Sequence, residues 1–188
     1  MVESKEAGIS TAMADYGGKQ ILVLGLGISG FAAAKLARTL GAEVSVLDAS
    51  TSDVLRQRAC DLAEVGVRVE LGWESDTWTA PTDLVVISPG IGPLSPLGRL
   101  ADSIHCTVVG ELEFGFSCCQ CPILAVTGTN GKTTCVELAT HCLRAAGYQV
   151  MAAGNVGVPL SEVCMQTADL DFLVIEVSSF QLERASQL

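Results

Sequence analysis

The sequence predicts an α/β fold made of two successive parallel-sheet units, the second of them truncated. Three observations carry that reading. From Lys19 onward, short runs of Val, Ile and Leu alternate with amphipathic stretches, the pattern of strands buried on both faces of a parallel sheet. Two glycine loops, one over 25–30 and one over 127–134, each follow a strand and open a helix. Beyond the second loop only two further strand candidates occur before residue 188.

In chain order, strands are predicted at 20–25, 43–48, 67–71, 84–88 and 106–109, with helices over 29–41, 52–65 and 96–104. Together they make a doubly wound, Rossmann-like unit of about one hundred residues, assigned to 13–110. Residues 1–12 are polar with no apolar centre, so they are not a secretory signal. They are expected to be a disordered leader, with Met13 a natural start. A connecting helix is expected over 111–121, ended by Pro122. Strand 123–127, helix 132–146, strand 149–152, helix 159–166 and strand 172–176 follow as the first part of a P-loop-type unit over 111–188. Three strands make a thin sheet, with at least one edge lacking a neighbour.

Composition narrows the function classes. An apolar content of 49% supports a buried core, and no apolar run approaches the ~18 residues of a membrane span. The net charge of −10 argues against a nucleic-acid surface, which needs clustered Lys and Arg. An anionic ligand must therefore be held by helix N-termini and a few local cations. The eight cysteines include a Cys118-x-x-Cys121 pair with no second pair at zinc-ribbon spacing. Free thiols in a reducing cytosol are the expected state. His105 and His141 have no partner spacing that suggests metal binding or catalysis.

The stretch Thr127-Gly-Thr-Asn-Gly-Lys-Thr-Thr134 has the chemistry of a polyphosphate cradle. Gly128 and Gly131 let backbone N–H groups turn onto phosphate oxygens. Lys132 supplies a point charge for the terminal phosphates, and Thr133 a hydroxyl for Mg²⁺. Val126 stands where the common spacing has glycine, so the loop is a variant. Gly25, Gly27 and Gly30 satisfy G-x-G-x-x-G, and Asp48 follows 18 residues beyond Gly30, where a carboxylate meets a ribose hydroxyl. That physics specifies a diphosphate at a helix N-terminus, which NAD, FAD or a UDP-sugar would satisfy equally.

Other candidates sit at strand ends. Ser88-Pro-Gly90-Ile-Gly92 lies at a carboxyl edge and reads equally as a ligand loop or a plain turn. Asn155, in Gly154-Asn-Val-Gly157, is either a turn-former or a ligand contact. Glu176 ends an apolar strand and is placed to hold Mg²⁺. Ser178, Ser179 and Gln181 follow as a polar cluster where the chain re-enters solvent.

These motifs, together with the run Glu176-Val-Ser-Ser-Phe-Gln-Leu-Glu183, resemble the Mur ligases of bacterial cell-wall synthesis, in particular their D-glutamate-adding branch. The resemblance covers the chain from about Met13 to its last residue. It implies a cytoplasmic, ATP- and Mg²⁺-dependent amide ligase that joins D-glutamate to UDP-N-acetylmuramoyl-L-alanine through an acyl phosphate. On that reading Gly128, Thr129, Asn130, Gly131, Lys132, Thr133 and Thr134 bind ATP, and Thr133 and Glu176 share the metal. Gly27, Ile28, Ser29 and Gly30 take the UDP diphosphate, while Asp48 and Gly90 line the uridine pocket. Asn155 reaches the substrate or its phosphates, with Lys132 and Glu176 as further catalytic residues, and Ser178 and Gln181 border the muramoyl-alanyl end. Ala49 and Ser50 depart from the Thr-Arg common in relatives, which puts uridine affinity in doubt. The family's second metal site and its D-glutamate-holding domain would fall beyond Leu188, so this piece alone is expected not to turn over. The sequence is silent on oligomeric state, for which a monomer is the default. A sister ligase adding another amino acid remains open. An NAD-dependent oxidoreductase would leave the 127–134 loop and Glu176 without a role, and a non-catalytic nucleotide-binding module is the other alternative.

Overall fold

The computed structural model describes residues 15–154 and 157–182, so the expected leader over 1–12 lies outside them. The first sheet contains β1 (Gln20–Leu24), β2 (Glu43–Asp48), β3 (Arg68–Leu71), β4 (Leu84–Ile87) and β5 (Thr107–Gly110). Its order is β3-β2-β1-β4-β5, and every neighbouring pair is parallel. The chain winds outward from β1 to β3 and then returns to place β4 on the other side of β1. Between β1 and β4 the winding reverses, which opens a crevice at their carboxyl ends.

The strand pleat sorts the core into two layers. Ile21 and Val23 face a cluster with Ala33, Ala34 and Ala37 of α1 (Ile28–Thr39). Leu22 and Leu24 face the opposite side, against Leu97 and Leu100 of α3 (Pro96–Ser103). All four β1 residues are at most 2% exposed, and each such burial stabilises by about 1.5–3 kcal/mol. By contrast α2 (Asp53–Glu64) buries only Leu62. Residues 72–83 form no helix between β3 and β4; Trp73 and Trp78, edge-to-face at 5.8 Å, cover that part of the sheet instead.

The second sheet joins β6 (Ile123–Val126), β7 (Val150–Gly154) and β8 (Phe172–Glu176) in the order β6-β8-β7, again parallel. Central β8 buries Leu173, Val174 and Ile175, whereas Leu124 on edge strand β6 is 44% exposed. The expected thin sheet with an unpartnered edge is therefore present among the described residues. One face carries α5 (Lys132–Ala145); the other carries α4 (Glu111–Phe116) and α6 (Leu160–Val163). Phe114, Cys118 and Cys164 also enter the cluster beneath α1, so α4 and α6 form the seam between the two sheets. No helix among the described residues is long and apolar enough to cross a membrane.

Three element boundaries differ from expectation. The helix expected over 111–121 ends at Phe116, because the Ser117 hydroxyl donates back to the Phe114 carbonyl at 2.7 Å and the next amides bond three residues back. The helix expected over 159–166 is a single α turn, α6, continued as a 3₁₀ turn over 164–169. There the Thr167 hydroxyl donates to the Cys164 carbonyl at 2.6 Å. A short helix, α7 (Ser179–Leu182), stands where a polar re-entry into solvent was expected.

Candidate functional site

The first glycine loop is held from three sides. Gly25 adopts φ +91°, and a Cβ on Gly30 would lie 1.8 Å from the Gly25 carbonyl oxygen. Only glycine at 30 lets α1 start directly against the loop backbone. The buried Ser88 hydroxyl donates to the Gly25 carbonyl at 3.1 Å. Asp48 accepts the Leu26 amide on Oδ2 at 2.6 Å and the Ser50 amide on Oδ1 at 2.8 Å. Arg58 of α2 donates to the Leu26 carbonyl at 3.0 Å. Asp48 is thus first a clamp on the loop, and contact with a ribose would use its remaining lone pairs.

The loop opens on a cavity of about 310 Å³ lined by Gly27, Ile28, Ser29, Asp48, Ser88 and Gly90. A Cβ on Gly27 or Gly90 would meet nothing within 4 Å, so both face open space. The first turn of α1 carries no acidic side chain, which leaves its positive end available to an anion. The predicted Gly27, Ile28, Ser29, Gly30, Asp48 and Gly90 therefore converge. Arg58 was not singled out, and Ser88 was read only as part of a ligand loop or a plain turn. Their roles depend on β4 lying beside β1 and on α2 folding back over the loop, which no local signal announces.

The second site forms at the carboxyl edge of β8. Register pairs Glu176 with Val126 on one side and with Gly154 on the other, so its carboxylate rises beneath the second glycine loop. A Cβ at Gly154 would meet the Glu176 carbonyl oxygen at 2.3 Å, and Gly154 has φ +114°. Gly131 caps α5 in the left-handed region at φ +75°, and Gly128 has φ +153°. Thr133 donates its hydroxyl to Glu176 Oε2 at 2.6 Å, across 43 residues of chain. Lys132 folds onto its own loop, its Nζ 2.9 Å from the Gly128 carbonyl. Glu176 is 4% exposed while Thr133 is exposed, so a hydroxyl and a carboxylate oxygen meet at a partly buried position, a donor set that suits a hard cation. Gly128 through Thr134 lie on the loop and the first turn of α5, as expected.

Asn155 lies outside the described residues. Ser178 and Gln181 have a role that the sequence reading missed. The Ser178 amide and hydroxyl donate to Gln181 Oε1 at 3.0 and 3.1 Å, and the Gln181 amide donates to Ser178 Oγ at 3.3 Å. This is a reciprocal capping box at the start of α7, legible in the pattern Ser-x-x-Gln. The box engages the Ser178 hydroxyl and Gln181 Oε1 at the helix end, a structural role beside the substrate contact expected of them. His105 and His141 are exposed.

Residues 19–110 match the Mur ligase MurD-like N-terminal domain, and 126–188 match the Mur ligase middle domain. A UDP-N-acetylmuramoylalanine–D-glutamate ligase from Thermoanaerobacter pseudethanolicus is 39% identical over 88% of this chain and 37% of its own length. One from Streptomyces coelicolor is 39% identical over 93% of this chain and 38% of its own. The chain thus spans little more than a third of the curated relatives it matches. A murein peptide ligase from Psychrobacter arcticus superposes with TM-score 0.51 at 24% identity, covering 87% of this chain and 39% of that one. A UDP-N-acetylmuramate:L-alanyl-γ-D-glutamyl-meso-diaminopimelate ligase from Neisseria meningitides gives 0.52 at 21% identity, covering 87% and 55%. These two likenesses bear on fold.

Proposed function

The chain belongs to the Mur ligase family, an ATP-dependent family, and from that premise we propose that it supplies the nucleotide-sugar site and the ATP site of a D-glutamate-adding ligase. The reaction proposed for the whole protein is ATP-driven amide formation between UDP-N-acetylmuramoyl-L-alanine and D-glutamate, in the cytoplasm. We assign the first site to residues 13–110 and the second to the unit that begins at 111.

The observation that carries this reading is the Thr133–Glu176 contact beside Lys132, at the carboxyl edge of a parallel sheet. Moving a γ-phosphoryl group onto a carboxylate brings like charges together, so cations and aligned amides must screen them. Lys132 would leave the Gly128 carbonyl for the β- and γ-phosphates, and the loop amides would hold the remaining oxygens. Thr133 and Glu176 would hold Mg²⁺, which supplies charge neutralisation and alignment of the phosphates. The resulting acyl phosphate would be attacked by the D-glutamate amine, with phosphate leaving. In the first site, the amides at the head of α1 would take the UDP diphosphate, with Asp48 keeping the loop in shape and Gly90 leaving room for the nucleoside. Asn155 is proposed as a further substrate or phosphate contact.

Titration calorimetry on the 188-residue chain tests both sites. UDP-N-acetylmuramoyl-L-alanine is expected to bind with or without metal, and ATP to bind more tightly with Mg²⁺. Lys132→Ala is expected to weaken ATP binding tenfold or more while leaving the UDP ligand alone. The proposal fails if Lys132→Ala leaves ATP affinity unchanged, or if NADH displaces the UDP ligand from the first site.

A further inference from the structure

The first glycine loop is a ladder of peptide groups, each held at both ends until the last rung. In the Leu24–Gly25 unit the carbonyl accepts the Ser88 amide at 2.9 Å, and the amide donates to the Leu47 carbonyl at 2.8 Å. In the Gly25–Leu26 unit the carbonyl accepts the Ser88 hydroxyl at 3.1 Å, and the amide donates to Asp48 at 2.6 Å. In the Leu26–Gly27 unit only the carbonyl is held, by Arg58 Nη1 at 3.0 Å. The amides of Gly27, Ile28 and Ser29 donate to no protein acceptor among the described residues. All three residues line the cavity.

Arg58 bears on that cavity in two ways. The carbonyl and N–H of a trans peptide point in opposite directions, and no peptide bond among the described residues is cis. Drawing the Leu26 carbonyl toward α2 therefore turns the Gly27 N–H away from α2, toward the space that Gly27 borders. Charge is the second way. The cavity lining contains one carboxylate, Asp48, and no cationic side chain, in a chain of net charge −10. An anion entering there needs a positive charge from behind the loop. Arg58 is partly buried, and among the described residues no carboxylate lies within ion-pair distance of it. Its charge is uncompensated, and salt screens it less than a surface cation. Core packing does not call for an arginine here, because α2 buries only Leu62.

We propose that Arg58 is a positioning residue for the first site, one that makes the cavity select a ligand by its diphosphate. The proposal rests on the reading of that cavity as the nucleotide-sugar site. Arg58 acts from behind the loop and through the Leu26 carbonyl. It aims the Gly27 amide at the anion and supplies the positive charge that the lining lacks. Asp48 and Arg58 thus hold the two sides of one residue, Leu26, which is itself 0% exposed. The nucleoside end of a ligand gains nothing from this arrangement, because neither the aimed amide nor the charge serves a neutral group.

The test titrates the 188-residue chain with UDP and with uridine, probes that differ only by the diphosphate, and follows binding by NMR. Arg58→Ala is expected to weaken UDP about tenfold or more and uridine by less than about twofold. Arg58→Gln, also neutral, is measured beside it so that the comparison does not depend on one variant folding. Arg58→Lys keeps the charge and a donor, and is expected to recover UDP affinity to within about threefold. Arg56→Ala is the control. It removes the same charge from the exposed side of α2, where Arg56 bonds the Thr51 carbonyl and Asp53, and should leave both affinities within about twofold. Equal loss of UDP and uridine would mark a merely structural role and overturn the proposal. UDP affinity unchanged in the neutral variants, no recovery by Arg58→Lys, or an equal loss in Arg56→Ala would overturn it as well. Those outcomes strike the role of Arg58 alone, whereas an unsubstituted chain that binds neither probe would overturn the reading of the cavity and this role with it.

Discussion

Replacing Gly154 by alanine isolates the contact that seats Glu176. The added Cβ would stand 2.3 Å from the Glu176 carbonyl oxygen, 2.9 Å from its amide nitrogen and 3.1 Å from its carbonyl carbon, all backbone atoms. Ordinary contact begins near 3.4 Å, so β7 must retreat from β8 by about 1 Å. Overpacking of that kind costs about 1–3 kcal/mol, and the φ of +114° adds about 1–2 kcal/mol for an L-residue. The expected loss is about 2–5 kcal/mol, a large share of the ~5–15 kcal/mol typical of a domain. Gly147 is the control, because its φ is +95° but its Cβ would meet nothing within 4 Å. Gly147→Ala should therefore cost only the conformational part, about 1–2 kcal/mol. Urea unfolding of the two variants gives the difference directly, provided their m-values agree. Because the displaced atoms belong to Glu176 itself, Mg²⁺-dependent ATP binding should weaken in Gly154→Ala and not in Gly147→Ala. Equal destabilisation by the two substitutions would refute the steric argument.

Two further outcomes follow from hydrogen-bonded polar groups. Glu111 is 2% exposed and accepts the Ser161 amide at 2.8 Å, yet burial raises its carboxyl above the ordinary 4.5. The folded protein then binds that proton more tightly than the unfolded chain. Stability should be greatest below pH 4.5 on this group's account and fall as pH rises through its folded value; Glu111→Gln should remove that slope in pH-dependent urea unfolding. Ser178→Ala breaks the capping box of α7 and should cost about 1 kcal/mol in the same assay. Affinity for UDP-N-acetylmuramoyl-L-alanine should stay unchanged if capping is the only role of Ser178, and calorimetry would show whether it falls.

Both glycine loops were legible because their chemistry is local. Gly25 through Gly30 and Gly128 through Thr134 each need glycine freedom, a strand before and a helix after, within a dozen residues. Glu176 was legible for a related reason, since a charged residue ending an apolar strand marks a carboxyl edge. Element ends were less so. The stops at Phe116 and Val163 depend on single hydroxyl bonds, from Ser117 to Phe114 and from Thr167 to Cys164, which compete with helix continuation by small energies. The capping box at Ser178 and Gln181 was present in the sequence and was read instead as a polar cluster and, from the resemblance, as a substrate border.

Sequence by itself determined the strand-and-helix alternation, the two glycine loops, the placing of Lys132 and Thr133 at a helix start and that of Glu176 at a strand end, since each follows from side-chain type and short spacing. Tertiary structure alone decided that Ser88 and Arg58 grip the first loop, that Thr133 touches Glu176, and that Cys118 and Cys164 share one buried cluster beneath α1. The physical reason is that each of these pairs joins residues tens of positions apart. Their meeting is fixed by sheet order and helix packing, quantities that no short window of sequence contains.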